Sequence, residues 1–236
     1  MNQFSIVIPT MWKFPPFLDF LKDLVKHPCV GEVIIINNDI GNTPAQVDIL
    51  KHPKVKLKTF LKNIIVNPAW NFGVAIAENE KVCILNDDVI FDLRVFDRVI
   101  EFLEPGKFIV TVPEAHLVAS GGHIVQGHIR IEPYQRGVDM FHFGAMMFTC
   151  KQDWIDIPAG LDMFYGDYWA FETMLTRFNQ NYIVRDLFFW TEVSTTANTF
   201  SNKEEIYNKE TQIYSAALAL FNQNFSRKTI DNPPQQ

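Results

Sequence analysis

The sequence has little of what marks several common protein classes. Its 236 residues include only three cysteines, Cys29, Cys83 and Cys150, with no CxxC spacing. This usage argues against a disulfide framework and against a zinc site, and it fits a reducing cytoplasm. No apolar run approaches the ~20 residues that a spanning helix needs, and no basic leader precedes an apolar run. We therefore expect a cytoplasmic protein without a transmembrane segment.

Positive charge is also in the minority. The chain has 21 Lys and Arg against 27 Asp and Glu, a formal net charge of −6. This balance argues against nucleic acid as a partner, because a phosphate backbone is bound by a broad electropositive surface. Apolar residues are plentiful, at 47% of the chain with 21 phenylalanines. They suffice for one sizeable core.

The order of the apolar segments predicts alternating strands and helices. The spacing predicts strands at 4–8, 32–36, 55–60, 81–85, 108–112, 140–149 and 182–184, and helices at 17–25, 44–50, 68–78, 93–103, 167–178 and 203–225. Asn67 is the expected N-cap of the helix at 68–78. The similar segments HPCV (27–30) and HPKV (52–55) each end a predicted helix and begin a predicted strand, so we expect the same kind of turn at both places. Such alternation is typical of an α/β fold with a mostly parallel central sheet flanked by helices.

The most informative segment is VCILNDDVIF, at residues 82–91. A buried strand there delivers Asp87 and Asp88 to the crevice where open α/β sheets bind ligands. Carboxylate oxygens suit magnesium or manganese, and such an ion can neutralise a diphosphate. The alternative is a turn in which these side chains cap the next helix. A single Asp pair favours that alternative, so the interpretation depends on the surrounding segments.

Several of those segments resemble inverting GT-A glycosyltransferases of the large family-2 type. FSIVIPTMWK (4–13) resembles their opening strand with its nucleotide-contacting Pro-Thr, and EVIIINND (32–39) resembles the second strand with its base-contacting acid. NPAWNFGVAIA (67–77) is similar to their Asn-x-Gly helix, and NDDV (86–89) lies where their Asp-x-Asp motif belongs.

The resemblance continues into the second half of the chain and covers about residues 4–195. HFGAMMFTCKQDW (142–154) resembles the strand and helix that border the acceptor pocket. AGLDMFYGDYWAFETMLTRF (159–178) resembles the Gly-Phe-Asp and Glu-Asp segment. The resemblance implies the GT-A (nucleotide-diphospho-sugar transferase) fold, with a smaller antiparallel element. It also implies inverting transfer of a sugar from a nucleotide-diphosphate donor, most often a UDP-sugar, to a hydroxyl acceptor such as a glycan.

The resemblance further implies a division of the chain and a set of residue roles. A single domain at 1–226 would comprise a nucleotide-binding half (1–90), an acceptor half (91–200) and a closing helix (201–226), followed by a flexible tail at 227–236. Nucleotide-sugar contacts would fall on Pro9, Thr10, Asn37, Asn71, Asn86 and Asp87. Asp88 and Glu192 would bind Mn²⁺ or Mg²⁺. Asp167 would be the general base, with Trp169 and Gly144 on the acceptor side.

Alternatives remain for single residues and for the whole chain. Asp is a common helix N-cap, so Asp167 could serve only in that role, and Glu192 could simply face solvent. The family usually has Asp where this chain has Asn37 and Asn86, which supports a non-catalytic nucleotide- or carbohydrate-binding module. A sugar nucleotidyltransferase is a third possibility, although PTMWKFPP (9–16) lacks the glycine-rich phosphate loop of that class.

Overall fold

The computed structural model describes residues 2–44, 47–111, 128–139, 144–191 and 201–231. Its strands are Phe4–Thr10 (β1), Val30–Asn37 (β2), Val55–Thr59 (β3), Lys81–Leu85 (β4), Val89–Phe91 (β5), Ile109–Thr111 (β6), Arg130–Pro133 (β7), Met146–Cys150 (β8), Tyr182–Arg185 (β9) and Phe189–Thr191 (β10). Its α-helices are Phe17–Leu24 (α1), Val66–Ile76 (α2), Arg94–Phe102 (α3), Gly166–Phe178 (α4) and Lys203–Asp231 (α5). Short 3₁₀ helices span Asp48–Lys51 and Lys151–Asp153.

Eight strands form one sheet in the order β3-β2-β1-β4-β8-β6-β9-β7. The half that contains β3, β2, β1 and β4 is parallel throughout. β8 enters antiparallel between β4 and β6, while β6 and β9 pair in parallel. β5 and β10 form a separate antiparallel pair. This mixed α/β architecture, mostly parallel with a smaller antiparallel element, confirms the predicted fold class.

The central strands of the sheet are buried on both faces, as β1 shows. Successive side chains of a strand point to opposite faces. Phe4, Ile6 and Ile8 therefore pack into the cluster under α1 and α3, whereas Val7 packs into the cluster under α2 and α4. A parallel strand covered on both sides is typically a mostly apolar run of this kind.

Several element boundaries differ from the sequence prediction; the strand expected at 140–149, for example, is Met146–Cys150 in the structure, with a turn at 144–145. The helix expected at 44–50 is wrong in extent, since the structure has a 3₁₀ helix at Asp48–Lys51 with no buried residue to support a longer one. Asn67 is not an N-cap, because α2 already begins at Val66. α5 continues to Asp231, past the tail boundary expected after 226, because no proline or glycine interrupts the chain before residue 233.

The two histidine-proline turns share one geometry, as the sequence predicts. The backbone N–H of Cys29 donates to His27 Nδ1 at 3.3 Å, and that of Lys54 donates to His52 Nδ1 at 3.2 Å. Each imidazole therefore closes the turn that leads into the next strand.

Candidate active site

The carboxyl ends of β1, β2 and β4 meet at one edge of the sheet. Thr10 is the last residue of β1, directly after Pro9, and its hydroxyl donates to the carboxylate of Asp87 beyond β4. Trp12 Nε1 donates to Asn37 Oδ1 at the end of β2, at 2.8 Å. The three strand ends that the sequence predicts to surround one ligand are thus joined by side-chain hydrogen bonds.

Two adjacent carboxylates occupy the turn after β4. Asp88 is only 8% exposed. Burial raises the pKa of Asp87 to about 6, and the negative charge of Asp88 adds to the rise, although hydrogen bonds from Thr10 and from the Met11 backbone oppose it. A divalent cation would relieve the repulsion of two acids held in this way. Hard oxygen ligands suit Mg²⁺ or Mn²⁺, so the donor set fits such an ion.

The same edge also carries Asp167. The backbone N–H of Asn86 donates to the carbonyl of Ala145 at 3.0 Å, which ties the end of β4 to the turn before β8. The neighbouring Gly144 lies against Asp167, since a Cβ built on Gly144 would be 3.2 Å from Asp167 Oδ2. The predicted metal strand, acceptor-side glycine and general base therefore lie in one continuous arrangement.

Asp167 is not the N-cap of α4. That position belongs to Tyr165, in a left-handed conformation with φ 60°, and α4 begins at the next residue. Asp167 lies in the first turn, where a carboxylate interacts favourably with the helix dipole. Its half-buried side chain leaves it accessible for chemistry.

Asn37 is 1% exposed, and protein groups occupy both ends of its amide. Besides Trp12, its Oδ1 accepts the backbone N–H of Asp39 at 3.0 Å, and its Nδ2 donates to the hydroxyls of Thr43 at 2.7 Å and Thr59 at 3.3 Å. Asn37 thus organises the loop after β2. The half-exposed carboxylate of that loop is Asp39, which the sequence analysis did not single out although it ends the segment EVIIINND.

Trp169, which the resemblance places on the acceptor side, is buried in the core of the structure. It is 5% exposed, and its indole N–H donates to the carbonyls of Ile155 at 3.3 Å and Asp156 at 3.1 Å. Its ring packs edge-on against Phe221 of α5, with centroids 5.7 Å apart. Residues two apart on a helix face different sides, so proximity to Asp167 in sequence does not place both in one pocket.

Asn71, which the resemblance assigns to the nucleotide, is hydrogen-bonded to protein groups. Its Oδ1 accepts from Trp154 Nε1 at 3.1 Å and from the Ile157 backbone at 3.0 Å, and its Nδ2 donates to the Ile157 carbonyl at 2.9 Å. These bonds tie α2 to the segment before α4. Glu192, the second predicted metal ligand, lies outside the described residues.

One buried acid close to the site, Glu210, was not predicted from the sequence. Glu210 of α5 is 1% exposed and contacts the segment that leads into α4. A signal was present, because Glu210 lies four residues after Ile206 and three before Ile213. It therefore falls within the apolar stripe of its helix.

Comparison with known proteins places this geometry in a known fold. No protein-family model matches the sequence, and no curated protein matches it. The structure of S. aureus TarS 1-349 in complex with UDP-GlcNAc matches with a TM-score of 0.66 and 12% identity, over 98% of this chain and 73% of that chain. This chain has the GT-A fold.

Two further GT-A structures match less closely. A structure of S. aureus TarS matches with a TM-score of 0.59 and 14% identity over 81% of this chain, which spans only 37% of the TarS chain. GalNAc-T7 with UDP, GalNAc and Mn²⁺ matches with a TM-score of 0.59 and 9% identity, over 80% of this chain and 43% of that chain.

None of the helices in the described part of this GT-A chain combines the length and the apolar character needed to span a membrane.

Proposed function

We propose that this chain is a glycosyltransferase that moves a sugar from a nucleotide-diphosphate sugar, of the UDP class, to a hydroxyl acceptor such as a glycan. One observation carries the proposal: the carboxylate pair after β4 and Asp167 share one sheet edge, joined through the Asn86 to Ala145 hydrogen bond and Gly144. The solved structures support the donor class, since TarS 1-349 was solved with UDP-GlcNAc and GalNAc-T7 with UDP, GalNAc and Mn²⁺.

On the donor side, the residues at the ends of β1 and β4 would bind the nucleotide and its diphosphate. Pro9, Thr10, Asn86 and Asp87 form this wall, and the hydroxyl of Thr10 keeps the Asp87 carboxylate in place. Asp88, with Glu192, would hold Mn²⁺ or Mg²⁺. When bound, such an ion supplies the positive charge that an acidic crevice lacks for a diphosphate leaving group.

On the acceptor side, Asp167 would act as the general base. The acceptor oxygen forms a bond to the anomeric carbon, while the bond from that carbon to the diphosphate oxygen breaks. The proton of the acceptor hydroxyl passes to the Asp167 carboxylate. Attack from the side opposite the diphosphate inverts the anomeric carbon. Gly144 leaves room for the acceptor beside this carboxylate, because any side chain at position 144 would contact the carboxylate of Asp167.

The location that we propose is the cytoplasm. Cys29, Cys83 and Cys150 are all free thiols in the structure. Such usage suits a reducing compartment.

A panel of UDP-sugars tests the proposal. Calorimetry with and without manganese measures donor binding, and NMR of the products measures UDP release and the anomer formed in the presence of glycan acceptors. We expect binding that depends on manganese and a product of inverted configuration. Absence of binding to every nucleotide sugar would contradict the proposal. Binding without transfer would favour a binding module, and pyrophosphate release from UTP with a sugar 1-phosphate would favour a nucleotidyltransferase.

A further inference from the structure

The segment that leads into α4 is held by a buried carboxylate from α5. Glu210 Oε1 accepts the backbone N–H groups of Asp162 at 3.0 Å and Met163 at 3.1 Å. Its Oε2 accepts those of Met163 at 3.3 Å and Phe164 at 2.6 Å. Three successive backbone N–H groups form an arrangement that binds anions, and here the anion is a side chain of the same protein.

A second buried side chain, from α2, also holds this segment. Asn67 of α2 donates through Nδ2 to the carbonyls of Leu161 at 3.1 Å and Phe164 at 2.9 Å. Its own backbone N–H donates to the backbone carbonyl of Asp162 at 3.0 Å. Gly166 makes room for this amide, since a Cβ there would lie 2.1 Å from Asn67 Oδ1.

α5 also holds Tyr165, the residue directly before α4. The Tyr165 hydroxyl hydrogen bonds with that of Thr211 at 2.8 Å, and its ring stacks on Tyr214 at 4.9 Å. Tyr165 needs such support because a left-handed backbone is unfavourable for a residue with a side chain. Asp167 follows two residues later, so every constraint on this segment is also a constraint on the candidate base.

We propose that Glu210 and Asn67 are positioning residues, which fix the loop 161–166 and thereby the carboxylate of Asp167 relative to the donor. The inference rests on the proposed function. In this arrangement α5 packs on α4 and is also part of the catalytic unit. A charged carboxylate with three N–H donors is a strong anchor, because hydrogen bonds to ionised groups are roughly twice as strong as neutral ones.

The closing experiment uses Glu210→Gln, which keeps the size of the side chain but replaces one acceptor oxygen with an N–H donor. Glu205→Gln, at an exposed position of the same helix, is the matched control. Amide hydrogen exchange measures the anchoring of the loop without any need for activity, and steady-state kinetics with calorimetry separate kcat from donor affinity. We expect Glu210→Gln to speed exchange at residues 162–164 and to lower kcat by about 10- to 100-fold, with donor affinity unchanged.

The possible outcomes separate this inference from the proposed function. Faster exchange with an unchanged kcat, or an equal loss of donor affinity and kcat, would overturn the positioning role. A wild-type chain that transfers no sugar but keeps slow exchange at 162–164 would overturn the proposed function and the catalytic role of the anchor with it. Should Glu210→Gln fail to fold, Asn67→Ser provides the same comparison through the carbonyl groups of the loop.

Discussion

The hydroxyl of Thr10, at the end of β1, donates a hydrogen bond to the carboxylate of Asp87, which lies 77 residues later in the chain. The bond joins the ends of two adjacent parallel strands. It also partly offsets the burial and the charge of Asp88 that raise the pKa of Asp87. This hydrogen bond between neighbouring strands lies at the candidate donor site.

Loss of the Asp88 carboxylate is expected to remove most of the manganese-dependent donor binding. Asp88→Asn keeps the shape of the side chain but lacks the charge that a divalent cation requires, so the diphosphate would face an acidic crevice. Calorimetry of UDP with manganese measures the loss, and the same titration without manganese is the control. Equal affinity in wild type and variant would show that the turn after β4 is structural only.

Replacement of the candidate base should slow transfer and spare donor binding. Asp167→Asn retains the size of the side chain and removes its capacity to accept a proton. General-base removal costs about 10²- to 10⁴-fold in rate, or roughly 3 to 5 kcal/mol of barrier. Initial rates of UDP release in the presence of acceptor measure transfer, and the donor dissociation constant measures binding. The two measurements together separate the effect on rate from the effect on affinity. A variant that transfers sugar at the wild-type rate would exclude Asp167 as the base.

Gly73 allows α2 to pack directly on β1, and its substitution should destabilise the fold. A Cβ there would lie 2.1 Å from Val7 Cγ1. Gly73→Ala should lower the free energy of unfolding by about 1 to 3 kcal/mol, although alanine is the better helix former. Gly41→Ala is the control, since its Cβ would come no closer than 3.4 Å to Asp39.

Urea denaturation measures both glycine variants. The double variant Gly73→Ala, Val7→Ala tests the cause, because removal of the Val7 methyl groups removes the clash. A Gly73→Ala penalty that is the same with and without the Val7 methyl groups would contradict the packing explanation.

Glu32 should make stability depend on pH. It is 4% exposed; burial raises its pKa, but hydrogen bonds from Lys56, Ser5 and the Glu78 backbone outweigh burial and hold the pKa below its usual value. A group with a lowered folded-state pKa stabilises the protein above its unfolded value of about 4.3, and this contribution is lost as pH falls through the folded pKa. Glu32→Gln lacks this contribution.

The stability difference between wild type and Glu32→Gln should therefore be largest near neutral pH and should shrink as pH falls below about 4. Denaturant titrations across this range measure it. Glu205→Gln, at an exposed position, should show little pH-dependent difference from wild type. A Glu32→Gln difference that stays constant from pH 7 to pH 3 would contradict the role assigned to the Glu32 charge.

Local patterns were enough to predict most of the elements that carry the site. The runs of β1, β2 and β4 are mostly apolar, because strands buried on both faces have few polar positions; Ser5 and Glu32 are buried exceptions. The acids that follow β4 then lie at the carboxyl edge by topology alone, since parallel strands end at the same edge. The resemblance implied roles for Gly144 and Asp167, but their close placement is a contact of the folded chain.

Side-chain direction and long-range pairing were decided only by the tertiary structure. Trp169 is a neighbour of Asp167 in sequence but points into the core, because the helical repeat separates the two side chains. The place of Glu210 in the apolar stripe of its helix indicates burial, but only the fold brings three backbone N–H groups to its carboxylate. The amino-acid sequence determined which strands end in ligand-binding groups, because that information is local. Which of those groups are already bonded within the protein depends on contacts between distant segments, and only the folded chain creates them.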